Sequence, residues 1–111
     1  MTNLNLRAWY KKGYGEKMVY NLSPNTWGKR IPSNAESCMI FMLQIGSKDN
    51  KGNIVYDKDI LKSPSGALFV VKWNEDEFAW KMYSNDGAWY NMNMGILERV
   101  GNIYENSDLI N

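Results

Sequence analysis

Apolar and polar positions alternate along Leu4-Asn5-Leu6-Arg7-Ala8-Trp9-Tyr10, which puts Leu4, Leu6, Ala8 and Tyr10 on one face and Asn5, Arg7 and Trp9 on the other. That period of two predicts a half-buried strand. Lys11 to Glu16 contains Gly13 and Gly15 and turns the chain, so that Lys17-Met18-Val19-Tyr20 pairs back as a hairpin. From Asn21 to Glu36 the pattern breaks down around Pro24, Gly28 and Pro32, which predicts a long irregular loop and a candidate binding loop. Cys38-Met39-Ile40-Phe41-Met42-Leu43 is apolar throughout and too short for its period to separate helix from strand.

Gly46 to Asn53 is dense in Gly, Asp and Asn and predicts a turn, followed by a short extended piece, Ile54-Val55-Tyr56. After the break at Lys62-Ser63-Pro64-Ser65-Gly66, Ala67 to Trp73 is the strongest strand. Asn74-Glu75-Asp76-Glu77 closes a tight loop to Phe78-Tyr83, where Phe78, Trp80 and Met82 alternate with Ala79, Lys81 and Tyr83. Ser84-Asn85-Asp86-Gly87 turns again, Ala88 to Met92 follows as the third strand of a meander, and Ile96 to Val100 leads into the tail. Short strands separated by turn signals, with no long segment of period 3.6, predict an all-β barrel or sandwich in one domain spanning residues 1–111.

The tail, Gly101-Asn102-Ile103-Tyr104-Glu105-Asn106-Ser107-Asp108-Leu109-Ile110-Asn111, predicts a docked end. Ile103 and Tyr104 offer apolar surface, Asn106 and Ser107 suit a capped turn, and Leu109 and Ile110 are expected to fold back onto a core.

Composition narrows the function classes. At 44% hydrophobic and 23% charged residues the chain has the balance of a folded globular domain. A net charge of +1, with no run of five like charges, gives no global field to hold an anionic polymer, although nucleic acid stays open as a partner. No apolar stretch approaches the roughly 20 residues of a membrane span, and Met1 to Arg7 lacks the apolar core of a secretory signal, so a cytoplasmic address is expected. The single cysteine, Cys38, lies among apolar neighbours and is expected to be a packed thiol. Five tryptophans, seven tyrosines and three phenylalanines can serve either to bury area or as stacking platforms; exposure decides between them.

The absence of histidine removes imidazole-based triads and histidine zinc sites. Carboxylates are left: Asp57 and Asp59 share a face if they lie on one strand, and with Asp49 they can gather a hard cation, or each can bond local backbone at a turn. Glu75-Asp76-Glu77 sits in a hairpin turn and reads as a solvated loop. Lys48, Lys51 and Lys58 with Arg7, Lys11 and Lys12 form a basic patch if the first two strands pack near the central turn; otherwise they guard exposed edges. Arg7 and Trp9 suit an arginine–indole stack, whose use in binding requires both to be accessible. No phosphate loop, dinucleotide fingerprint or zinc-finger spacing occurs, and no metal or other cofactor is implied.

Three separated blocks resemble the YopX family, small proteins of phages and prophages of Gram-positive bacteria. They are Leu6-Arg7-Ala8-Trp9, the segment from Gly46 to Ile60, and Gly101-Asn102-Ile103-Tyr104-Glu105-Asn106 with Asp108-Leu109-Ile110. The chain departs from the family pattern at Tyr10, Ile45, Ser47, Ser107 and Lys58. The last stands where glycine is common before Asp59, so the turn there either avoids positive φ or bears its strain. The resemblance implies an all-β fold with an SH3-like barrel element, little helix and a homo-oligomer, and it assigns no activity. Arg7, Trp9, Lys48, Asp49 and Asp59 are the candidate binding residues, and Gly101 to Asn106 the structural motif. The expected function is that of a non-enzymatic module that binds a protein of host or phage, such as a host defence or regulatory factor. The alternatives are a nucleic-acid-binding barrel and, more weakly, a carboxylate-metal hydrolase.

Overall fold

In the computed structural model the chain is described over residues 6–11, 15–22 and 39–110; Cys38, Trp27 and all but the first two residues of the 21–36 loop lie outside the described residues. Those regions divide into two compact units, residues 1–44 and 45–111.

The N-terminal alternation produces β1 (Leu6–Tyr10), which pairs antiparallel on one side with β2 (Met18–Leu22) and on the other with the part of β3 (Met39–Lys48) that lies in the first unit. The apolar run around Met39 is therefore strand. Ala8 and Met39 form the buried centre, with Leu6, Tyr10 and Val19 packed against it. Arg7 lies opposite Met42 across the β1–β3 ladder, and both are fully buried, so the second face of β1 is covered as well. The simple in-and-out reading of the alternation does not hold there.

The second unit is built on β5 (Asp59–Lys62), β6 (Leu68–Asn74), β7 (Ala79–Tyr83), β8 (Trp89–Tyr90) and β9 (Glu98–Asn102), in the sheet order β8-β7-β6-β5-β9. Phe69-Val70-Val71 supplies the β-branched and aromatic side chains that suit a pleated surface. The predicted β6–β7 hairpin is present, with Val71 opposite Met82 and Trp73 opposite Trp80. β4 (Ile54–Tyr56) lies beside β3 across the turn at 49–53. Val55, Leu61, Val71 and Leu97 form the core, ringed by Ile45, Trp80, Met82, Met92 and Met94.

Four expectations change. The four-residue β5 does not stand out in the sequence, yet it is central, with Ile60 and Leu61 fully buried between β6 and β9. β8 keeps only two of the five residues expected of it. Asp57 precedes β5 in a turn, so it and Asp59 do not share one strand. Leu109 ends a short 3₁₀ turn, Ser107–Leu109, and stays exposed, so it does not fold back onto a core.

The described residues are thus all-β, with that one 3₁₀ turn and no α-helix. The first sheet is curled as half of a barrel and the other is open. None of the described residues forms a helix long and apolar enough to cross a membrane.

Candidate functional site

The central turn is tied by Asp49. Its Oδ1 accepts the backbone N–H groups of Lys51 at 3.0 Å and Asn53 at 2.7 Å, and its Oδ2 accepts the Asn53 side-chain amide at 3.1 Å and the Arg99 N–H at 2.7 Å. A carboxylate offers about four lone-pair positions, and here all are taken. Burial by itself would raise the carboxyl, but hydrogen bonds to its charged form from Arg99, Asn53 and Lys51 outweigh this and hold it at about 2. The Asn50 N–H donates to the Leu97 carbonyl and the Arg99 guanidinium to the Ile54 carbonyl, which completes the clasp between this turn and β9. The geometry is that of a structural staple, with no lone pair on Asp49 left to coordinate a cation.

Lys58 links two further elements. Its N–H donates to Val71 of β6 at 2.8 Å, and its carbonyl accepts the Ile103 N–H of the tail at 3.1 Å. To reach both, the backbone takes φ 71°, so the lysine bears the left-handed strain that the sequence left open. Its ammonium pairs with the neighbouring Asp57 at 3.1 Å. Asp59, fully buried, accepts the Tyr56 N–H at 2.8 Å and closes the β4–β5 turn.

The tail motif closes on itself. The Asn102 Oδ1 accepts the N–H groups of Tyr104 and Glu105, while its Nδ2 donates to the Glu105 carboxylate. Asn106 returns a pair of bonds to Asn102, its N–H to the carbonyl and its Oδ1 to the N–H. Asn102 and Asn106 thus satisfy backbone groups of a tight turn at the end of β9, and Glu105 holds the Asn102 amide.

The candidate residues are therefore dispersed in role. Arg7 is fully buried, so the accessibility that binding through an Arg7–Trp9 pair requires is not met. Trp9 is half-buried in β1, Lys48 is exposed at the end of β3, and Asp49 and Asp59 are engaged in turns. Among the described residues, no cluster of His, Cys, Asp and Glu side chains is arranged to hold a metal ion.

What the sequence did not single out is the aromatic surface of β6, β7 and β8. On one face Trp73 lies edge-on to Trp80 at 5.3 Å and to Phe78 at 6.3 Å, and Phe69 edge-on to Tyr90 at 5.7 Å. On the other, Lys72 and Lys81 stand directly opposite each other across the strands. Lys72 lies over the Tyr83 ring and Lys81 over Trp89, and the Lys81 ammonium also bonds the Asn91 side chain. Trp73, Phe78, Trp89 and Tyr90 are exposed although the neighbouring core is closed. The only signal for this in the sequence was the aromatic count.

A protein-family model for YopX, described as YopX protein, matches residues 5–111. No curated protein matches the chain at a significant level.

Proposed function

The chain belongs to the YopX family, and on that footing we propose that it is a non-enzymatic phage or prophage accessory protein that acts in the host cytoplasm by binding another protein. One observation carries this reading: four large aromatic side chains, Trp73, Phe78, Trp89 and Tyr90, are exposed on a hydrogen-bonded two-hairpin scaffold. Rigid aromatics with few rotatable bonds lose little entropy on association and dominate the energetics of protein interfaces. The carboxylates weighed as catalysts support it further, since Asp49 and Asp59 are committed to backbone donors.

Nucleic-acid stacking is the weaker reading. One face each of Tyr83 and Trp89 carries the Lys72 or Lys81 ammonium, and a base stacking on that face would have to displace the cation. Affinity purification of the full chain from bacterial host cells, followed by titration of each recovered protein in purified form, tests the proposal. Saturable binding to a purified protein is expected. Salt-sensitive binding to DNA or RNA with no protein partner would replace it with the alternative.

A further inference from the structure

We propose that the tip of the β6–β7 hairpin is the docking element, with Phe78 as an anchor that enters an apolar pocket on a second protein whose rim is lined with lysine and arginine. The inference rests on the protein-binding reading above and deepens it by naming the contact and the chemistry of the partner.

Phe78 is 82% exposed, far more than any other large apolar side chain among the described residues. It closes the four-residue loop between Asn74 and Ala79, and its backbone is held at φ 50°, a region that glycine or asparagine enters readily and a bulky side chain does not. The ring leaves the core, and glycine or asparagine would relieve the backbone. The loop that carries the ring is nevertheless pinned. Asn74, itself buried, accepts the Glu77 N–H through Oδ1 at 2.8 Å and donates to the Tyr83 hydroxyl at 3.0 Å, which pins the loop. Trp80, packed on the core, meets Trp73, which is 43% exposed, and Trp73 meets Phe78 edge-on. Exposure thus rises stepwise from core to tip along a supported column of rings. An apolar side chain presented away from its own core on a pinned loop has the properties of a preorganised anchor.

The charge around it selects the partner. Glu75, Asp76 and Glu77, all exposed, immediately precede Phe78, in a chain whose net charge is +1. An apolar anchor flanked by three carboxylates complements an apolar pocket with a cationic rim and repels an acidic one. It is equally unsuited to a phosphate backbone, which sets this surface apart from a nucleic-acid interface.

Photo-crosslinking tests the proposal with the full chain carrying p-benzoylphenylalanine at position 78 or, as a control at the opposite end of β6, at position 65. Both are expressed in bacterial host cells, adducts are mapped by mass spectrometry, and the purified partner is titrated with the wild type, Phe78→Asn, and the triple variant Glu75→Gln, Asp76→Asn, Glu77→Gln. The expected adduct forms from position 78 alone and maps to an apolar residue flanked by lysine or arginine. Phe78→Asn should weaken binding at least about tenfold while its melting temperature stays equal or rises, and the triple variant should weaken it and flatten its salt dependence. A partner that crosslinks from position 65 and binds Phe78→Asn undiminished would overturn the tip as docking element while protein binding itself stands. No adduct from position 78, with affinity purification of the wild type still recovering a partner, would overturn the tip alone; no partner by either route would remove both readings. Adducts between two copies of the chain would replace the basic pocket with self-association. A lowered melting temperature with unchanged binding would make Phe78 a packing residue.

Discussion

The side-chain amide of Asn106 fills the space in which a Cβ on Gly101 would stand, with the Asn106 Cγ 2.6 Å and Cβ 2.9 Å from that point. The glycine is thus demanded by a close approach and not by a left-handed backbone. Gly101→Ala should cost roughly 1–3 kcal/mol, the range for forced overpacking. Denaturant titration of Gly101→Ala, Asn106→Gly and the double variant checks this: the alanine should cost much less once the amide is gone.

Lys58 offers the opposite change. Its φ of 71° suits asparagine or glycine better, and its pairing with Asp57 is a surface contact of small worth. Lys58→Asn is expected to stabilise the fold by up to about 1 kcal/mol, seen as a higher denaturant midpoint at unchanged slope.

Asp49 sets an acid limit. Its folded pKa of about 2 lies below the ordinary 3.8, so its contribution is fully present above that ordinary value and is lost as pH falls through about 2. The shift corresponds to on the order of 2 kcal/mol. Carbon NMR should place the Asp49 carboxyl midpoint near 2, and Asp49→Asn should flatten the fall in stability over that window.

The tail should tolerate truncation in a graded way. Ser107, Asp108 and Leu109 are exposed, Ile110 is half-buried, and the Leu109 N–H bonds the Asn106 carbonyl. Ending the chain after Asn106 is expected to shift the melting temperature little. Ending it after Val100 removes the pairing of Gly101 with Ile60 and of Asn102 with Asp59, the whole motif and the bond to Lys58, and should abolish the cooperative transition.

The parts legible in the sequence were those specified locally. The β6–β7 hairpin could be read because its alternation and its loop agree, and the tail motif because its order of residues is particular. β5 could not, since Asp59 and Lys62 leave only Ile60 and Leu61 as apolar signal, and its strand state comes from partners on both sides. Alternation groups Phe78 with Trp80 and Met82, but the left-handed turn at Phe78 directs it to solvent instead. Lys81 reads as a surface lysine until Trp89 and Asn91, eight and ten residues further on, fold over it. Asp49 was visible as a turn residue, whereas its bond to Arg99 spans fifty positions that no local pattern reports.

The placement of β5 also favours an order of assembly. One neighbour, β6, lies just beyond the loop after Lys62, while the other, β9, begins only at Glu98. Closing the short connection costs little chain entropy and closing the long one costs more, so β5 to β8 can zip together before β9 arrives. The Lys58 peptide registers both events, since its N–H is met by Val71 of the early meander and its carbonyl waits for Ile103. A strand arriving last would lock two distant turns at once.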